Sequence, residues 1–450
     1  MFLILLLKKN YKLILPILVI AFLLILNQEY NVFNSLINFD SQTFEFISES
    51  KTISNSSKSK YGVTPSYNLE SSLRPLHFIE TPVNAHEPMP LKLATGMYVF
   101  GKYLQKTIVP YPMGFYYGYA YITPKTFNEV LPWVMLGVFI FLGLLSLYWI
   151  VKRQYVLAIG LIIYLAGVFQ ALGIYVPIPG AIGDRFLFLP SIGFCILLAY
   201  PFYKAVGTKW QKPALGVFVA ILAVYGFLTI QRNFEWKDRI TLFEADIEYL
   251  NKSAQAHALL ADAYMRKATT ENVSEQVYIS LAEKAIFRYE KAIGIYPDFL
   301  NFHFFKGKIQ ESIGQYEPAI ASYKKAIAIE KDFSDEPYIS IASMYFDMQN
   351  FQESAYYFEQ AITIFDYSKQ PFVYNTLLAC YMNMGLVAKA ENLMLEAVAL
   401  YPNNFDIQLN MFKLMYNLGK DEKAFYHFNF AKQLNPNHPE IVQIERELGL

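Results

Sequence analysis

Long uncharged runs of apolar residues fill the first half of the chain, whereas the second half alternates apolar and charged residues at helical spacing. A helix needs roughly 17 to 25 apolar residues to cross the hydrocarbon core of a bilayer. Five segments meet or approach that length, near residues 13–27, 130–151, 155–174, 186–203 and 213–230. The pattern therefore predicts an all-α protein in which a polytopic transmembrane domain of about five spans precedes an α-solenoid.

The change of pattern also predicts the domain boundaries. Residues 1–230 are interpreted as the transmembrane domain, with an external loop over residues 28–129. Residues 231–252 are interpreted as a connecting helix, and residues 253–450 as a repeat domain that ends in a C-terminal capping helix.

One further apolar stretch, residues 93–109, is not counted as a span. Lys102 and Lys106 lie four residues apart on one helical face, and Pro110 ends the stretch. Charges on one face are typical of a helix that lies at the membrane surface or re-enters it. We therefore expect an amphipathic or re-entrant helix at the outer surface.

Basic residues in the short connections predict the orientation, because Lys and Arg are enriched on the cytoplasmic side of membrane helices. If five spans alternate, all three basic clusters fall on one side: Lys8, Lys9 and Lys12; Lys152 and Arg153; Lys204, Lys209 and Lys212. The external loop, the pair Asp184 and Arg185, and everything after residue 231 then lie on the extracytoplasmic side, which is periplasmic or lumenal.

Beyond residue 250 the chain repeats itself. Five alanines mark the period, with 34 to 36 residues between neighbours: Ala292, Ala326, Ala361, Ala397 and Ala431. This pattern resembles the tetratricopeptide repeat (TPR), a pair of antiparallel helices. Small residues are expected where the two helices of a pair touch: Ala285, Ala319, Ser354, Ala390 and Ala424. Bulky residues are expected to fill the gap to the next pair: Tyr289, Tyr323, Phe358, Met394 and Phe428.

The first repeat is about a dozen residues too long, so its surplus is expected as a loop or a helix extension. The first helices of such pairs usually line a concave binding surface. The predicted protein-binding groove comprises Phe304, Lys308, Phe346, Phe372, Asn375, Met382, Lys413 and Tyr416. The alternative is that these side chains only pack the repeats against each other, since aromatic residues are frequent throughout the chain.

Composition excludes some classes of function. The 38 Lys and Arg residues balance the 38 Asp and Glu residues, so nucleic-acid binding is not expected. The six histidines are dispersed without paired metal-ligand spacing, so no metal site is predicted. The two cysteines lie in unlike segments and do not indicate a disulfide.

Three segments outside the repeats carry a family resemblance: ATGMYVFGKYLQKTIVPYPMGFYYGYAYITP, GDRFLFLPSIGFCILLAY and RNFEWKDRITLFEADIEYLNKSAQAH. Together with the repeats they resemble the transmembrane and tetratricopeptide-containing protein O-mannosyltransferases and their bacterial relatives, of the GT-C fold. The resemblance implies sugar transfer from a polyprenyl-phosphate donor to a hydroxyl of an extracytoplasmic protein. No cofactor is implied beyond this lipid-linked sugar.

The resemblance gives the pair Asp184 and Arg185 a role in binding the donor. A guanidinium at the outer end of a membrane helix suits a lipid phosphate at headgroup depth. Adjacent helix residues do not face each other, so Asp184 is expected to orient Arg185 or cap the helix. The alternative is that Arg185 only anchors the span in the headgroups.

The chain departs from the family in two places. Members of the family carry an acidic pair after their first span, and one of its carboxylates is the candidate general base. This sequence has no counterpart of that pair, so the catalytic residue is unknown. Residues 1–7 look like the stump of an earlier helix. Tyr116 stands where relatives often carry an acidic residue. A separately encoded N-terminal membrane half is one expected partner, and Arg74 with Glu80 is an alternative loop site. The competing hypothesis is a non-catalytic, membrane-anchored TPR scaffold.

Overall fold

The computed structural model describes residues 81, 83, 87–175, 178 and 180–448, which form helices and turns without a strand among them. The described residues divide into two compact units, with the division between Pro297 and Asp298. The helices of the first unit are α1 (Met89–Ile108), α2 (Val130–Val151), α3 (Tyr155–Gln170), α4 (Phe188–Ala205), α5 (Gln211–Glu235), α6 (Arg239–Asp246), α7 (Ala254–Thr270) and α8 (Glu275–Ile295). Those of the second unit are α9 (Leu300–Ser312), α10 (Tyr316–Ile329), α11 (Glu336–Asp347), α12 (Phe351–Ile364), α13 (Pro371–Asn383), α14 (Val387–Leu400), α15 (Phe405–Asn417), α16 (Asp421–Leu434) and α17 (Pro439–Leu448).

Three helices of the first unit are long and apolar enough to cross a membrane: α2, α4 together with the short 3-10 helix Asp184–Leu187 that precedes it, and α5. The predicted span over residues 130–151 coincides with α2. The predicted span over residues 13–27 lies outside the described residues. The number of spans therefore stays a prediction.

Helix α3 is shorter than the predicted span over residues 155–174. It has 16 residues and rises about 24 Å, less than the roughly 30 Å of a hydrocarbon core. It ends because the chain turns at Ala171 and Gly173 has a φ of 68°, a left-handed conformation that glycine adopts without strain. The four apolar residues after Gln170 extend the hydropathy signal beyond the helix.

Helices α2 to α5 form successive antiparallel hairpins. Phe139 of α2 meets Phe169 of α3 with ring centroids 6.2 Å apart, and Phe202 of α4 meets Phe218 of α5 at 4.9 Å. Short turns join α2 to α3 and α4 to α5, and α3 packs antiparallel to α4, since Gly160 lies against Gly193 and Gly167 against Pro190. The turns at residues 152–154 and 206–210 therefore lie at the same end of the helices. Both basic clusters of this region are thus opposite the end that carries Asp184 and Arg185.

Glycines let α3 and α4 approach closely. A methyl group added at Gly193 would lie against the carbonyl oxygen of Gly160 and 2.6 Å from the backbone nitrogen of Tyr164. One added at Gly167 would lie 2.9 Å from Cδ of Pro190. Such small-residue contacts are typical of membrane helices, whose association depends on close packing.

The stretch predicted as an amphipathic helix is α1, and it is helical. One of its faces is buried, including Phe100, whose ring makes an edge contact with Phe139 of α2 at 5.2 Å. It is not among the helices apolar enough to span. Its position at the outer membrane surface stays a prediction.

The repeat helices follow the predicted register. The helix pairs are α7 and α8 in the first unit, and α9 with α10, α11 with α12, α13 with α14, and α15 with α16 in the second. The structure buries every predicted contact residue almost completely: Ala285, Ala319, Ser354, Ala390, Ala424, Tyr289, Tyr323, Phe358, Met394 and Phe428. The five alanines that define the period are fully buried as well.

The length surplus of the first repeat is a helix extension. Helices α7 and α8 have 17 and 21 residues, against 13 and 14 in α9 and α10. Helix α17 lies where the capping helix is predicted and its Ile441 is fully buried, while its capping role stays a prediction.

Candidate functional site

Asp184 begins the short 3-10 helix that precedes α4 and is held by groups from α1 and the loop that follows α1. Its carboxylate accepts hydrogen bonds from the backbone N–H of Gly114 at 2.8 Å and from the Tyr117 hydroxyl at 3.1 Å. It also forms an ion pair with Lys106 Nζ at 3.2 Å. No side chain caps the described 3-10 helix Asp184–Leu187 at its start. The Asp184 carboxylate therefore binds groups of α1 and the loop instead of capping its own helix.

Lys106 is the charged partner of Asp184 and is itself largely buried, with 12% of its side chain exposed. Its ammonium donates to the carbonyl oxygen of Pro112 at 2.6 Å and lies 5.0 Å from the centroid of the Tyr117 ring. Burial lowers the pKa of Lys106, and the neighbouring Asp184 carboxylate opposes that shift. The four groups form one connected cluster, which we call the Asp184 cluster: Lys106, Gly114, Tyr117 and Asp184.

The loop between α1 and α2 reaches the Asp184 cluster because Gly114 has no side chain. A methyl group there would lie 2.9 Å from Leu250 Cδ2 and 2.9 Å from the Tyr117 ring. The peptide bond before Pro112 is cis. Gly183 N–H donates to the Tyr103 hydroxyl at 3.1 Å, which fixes the residue before Asp184 to α1 as well.

Arg185 differs from its neighbour, because it is exposed. Its guanidinium lies 5.1 Å from the centroid of the Phe186 ring. No carboxylate among the described residues forms an ion pair with it. The adjacent pair thus separates into an anchored carboxylate and an available cation, and Asp184 is not the ion-pair partner of Arg185.

A second ionic contact joins the end of α5 to α6. Arg232 Nη2 donates to Asp246 Oδ2 at 2.9 Å, Nη1 also contacts Asp246, and Glu235 completes the group. Asp246 is 1% exposed. Burial raises the pKa of Asp246, and the hydrogen bonds from Arg232 counteract this effect.

Aromatic contacts join the loop after α1 to the same region. The rings of Phe115 and Phe243 stack at 3.8 Å, and the Tyr111 and Tyr249 hydroxyls are in contact. The loop, the start of α4 and helix α6 therefore form one packed surface at the end of the unit that carries Arg185.

All eight predicted groove residues lie on the first helices of their pairs, but they differ in exposure. Phe304 is buried against Tyr323 and Phe333, which fits the packing interpretation for that position. Met382 and Tyr416 are exposed. Lys308 and Lys413 pair with Glu336 and Glu440, while Phe346 and Phe372 are partly buried.

Asn375 makes a contact that the sequence reasoning missed. Asn410 Nδ2 donates to Asn375 Oδ1 at 2.9 Å, across 35 residues. The period between these two repeats is 34 residues, from Ala390 to Ala424, so the two asparagines lie at neighbouring rather than equal repeat positions and the repeat pattern does not pair them.

The alternative loop residues Arg74 and Glu80 lie outside the described residues. Lys106 and Tyr117 were not predicted as site residues. In the sequence Lys106 is visible only as a charge on a helix face, and a single sequence carries no signal that pairs it with an aspartate in a later helix. Sequence reasoning likewise missed the contact between Arg232 and Asp246, although both lie in the segment that carries the family resemblance.

These features define a helical membrane protein with tetratricopeptide helix pairs. The family model of the tetratricopeptide repeat matches residues 300–333 and 335–366. Among solved structures, the TPR protein YrrB is 15% identical, with a TM-score of 0.37 over 45% of this chain and 97% of that one.

The curated relatives are protein O-mannosyl-transferases, which confirms the predicted family resemblance. TMTC3 of Homo sapiens is 23% identical over 285 residues, which cover 60% of this chain and 30% of that protein. Tmtc3 of Drosophila melanogaster is 23% identical over 33% of this chain and 15% of that protein. The chain is therefore related to the TMTC protein O-mannosyl-transferases and spans about a third or less of their length.

Proposed function

We propose that the first unit binds the phosphate of a polyprenyl-linked sugar in a GT-C-like glycosyltransferase, and that the sugar passes to an extracytoplasmic protein. The observation that carries this proposal is the exposed Arg185, free of an ion pair within the described residues, beside an aspartate whose charge is already balanced. A phosphate needs charge-assisted donors as it becomes a leaving group. Asp184 has its oxygens occupied, which supports a structural role over that of a proton acceptor.

The depth of Arg185 fits a lipid phosphate. Exposed tryptophans mark both ends of the helices: Trp210 beside the basic turn after α4, and Trp133 and Trp236 at the opposite end. Tryptophan is enriched at the headgroup level of membranes. Arg185 lies at the Trp133 end, which the basic turns make the extracytoplasmic side in this proposal.

The repeats are proposed to hold the acceptor protein or another partner. Exposed Met382 and Tyr416 on first helices offer apolar contact, and Lys413, one turn before Tyr416, already pairs with Glu440. Repeat arrays of this kind present extended binding surfaces. An alternative function, a membrane-anchored scaffold without catalysis, is favoured by the tetratricopeptide helix pairs of residues 300–366, since such repeats bind protein partners without chemistry.

Binding to polyprenyl phosphate tests the proposal. The full chain is placed in nanodiscs that contain polyprenyl phosphate or, as a lipid control, unphosphorylated polyprenol. We expect binding of the phosphate form and a loss of at least about tenfold in affinity for Arg185→Ala, because a charge-assisted hydrogen bond is worth roughly 1.5 to 3 kcal/mol. A matched control is Arg153→Ala, an exposed arginine in the turn at the other end of the helices.

Equal affinity of Arg185→Ala and the unchanged protein would remove Arg185 from the donor site. Sugar transfer from the lipid-linked donor, measured with this chain alone and together with a relative's N-terminal membrane region, separates the enzyme from the scaffold. Phosphate-lipid binding without transfer in either case would favour the scaffold.

A further inference from the structure

We propose that Lys106 is a positioning residue that balances the charge of Asp184 and thereby keeps the site at Arg185 attractive to an anion. This inference rests on the proposed function, since it explains how Arg185 remains available. It assigns to α1 a role in the donor site.

The first step is that the Asp184 carboxylate holds the loop after α1 against the start of α4. Its carboxylate ties the Gly114 N–H and the Tyr117 hydroxyl to the start of α4, so it fixes the loop against the helix that carries Arg185. An uncharged side chain would accept these bonds less strongly, because hydrogen bonds to an ionised acceptor are roughly twice as strong.

The second step is that the negative charge of the Asp184 carboxylate weakens anion binding at Arg185 unless a nearby cation neutralises it. Asp184 precedes Arg185 directly, so an unpaired negative charge would repel a phosphate that approaches the guanidinium. Lys106 Nζ lies 3.2 Å from Asp184 Oδ1 and is held by the Pro112 carbonyl oxygen at 2.6 Å. These two contacts hold the ammonium beside Asp184, so it balances the carboxylate instead of binding the phosphate itself.

The test compares Lys106→Met, Asp184→Asn and the double variant in the full chain. Lys102→Met is the matched control, because Lys102 lies one turn away on α1, over the Tyr98 ring at 5.6 Å, and pairs with no carboxylate among the described residues. The first measurement is the affinity for polyprenyl phosphate in nanodiscs. The second is the rate at which phenylglyoxal modifies Arg185, followed by peptide mass spectrometry without any lipid ligand.

We expect Lys106→Met to lower both the phosphate-lipid affinity and the modification rate of Arg185 by about tenfold, because the unbalanced carboxylate of the preceding residue repels the anion and stabilises the charged guanidinium against attack by phenylglyoxal. The double variant should recover both to within about twofold. Recovery is diagnostic, because a merely structural role of Lys106 predicts further loss when Asp184 is changed as well. Lys102→Met should leave the modification rate within twofold.

Unchanged values in Lys106→Met, or a double variant worse than the single one, would overturn the inference. If Lys106→Met does not insert into membranes, the modification rate of Arg185 is compared between Asp184→Asn and the double variant. A faster rate in Asp184→Asn, where the Lys106 charge is unbalanced, supports the inference. Equal rates in the two variants refute it. Phosphate-lipid binding that is independent of Arg185 would refute the proposed function alone, because the modification rate requires no lipid.

Discussion

The close approach of α3 and α4 makes Gly193→Ala a sensitive test of the membrane packing. The added methyl group would lie 2.6 Å from the Tyr164 nitrogen and even closer to the Gly160 carbonyl oxygen, whereas ordinary contacts are 3.4–4 Å. The two helices must therefore separate by roughly 1 Å, and the loss of contacts along the interface costs about 1 to 3 kcal/mol. Alanine has a better helix propensity than glycine by about 0.8 to 1 kcal/mol, which offsets part of this cost.

We expect a net loss of about 0 to 2 kcal/mol in the free energy of unfolding, measured by titrating the full chain in mixed micelles with SDS and following the circular dichroism. The control is Gly226→Ala on α5, where an added methyl group meets nothing within 4 Å. This variant shares the propensity gain but has no clash, so it should be unchanged or more stable. A Gly193→Ala protein as stable as Gly226→Ala would refute the packing of α3 against α4.

Two further predictions concern the repeats. Ala326→Leu should lower the free energy of unfolding by about 1 to 3 kcal/mol, because Ala326 is fully buried, whereas leucine at the exposed Ala328 of the same helix should change it by no more than about 0.5 kcal/mol. Chemical unfolding followed by circular dichroism compares the two variants. Equal losses of stability would contradict the repeat register. A cysteine at the exposed Tyr426, in a background without Cys195 and Cys380, should react with an impermeant maleimide from the extracytoplasmic side. Labelling only after permeabilisation would reverse the proposed orientation.

Local patterns in the sequence predicted most of the helices. The helix over residues 130–151 and the buried alanines of the repeats were predicted correctly, because a continuous apolar run or a fixed period is a property of neighbouring residues. The end of α3 was not predicted, since the residues beyond Gln170 are as apolar as the helix and only the backbone conformation of Gly173 marks the turn.

The candidate site was only half predictable. Asp184 and Arg185 stood out because charged residues are unusual at the start of an apolar run. Their different environments were not visible, because Lys106 and Gly114 reach Asp184 from an earlier helix and loop, and no short-range pattern encodes that contact. The ion pair of Arg232 with Asp246 was missed although it is local, since a helix and a turn separate the two residues.

The two charged contacts of the first unit imply an order of assembly as the chain is synthesised. Arg232 and Asp246 are 14 residues apart and can meet as soon as α6 has left the membrane-insertion machinery. Lys106 and Asp184 are 78 residues apart (184 minus 106), so the lysine on α1 stays without its counter-charge until the start of α4 has been made. During that interval the nascent protein carries an unneutralised ammonium in α1, and insertion of α4 is the event that buries it.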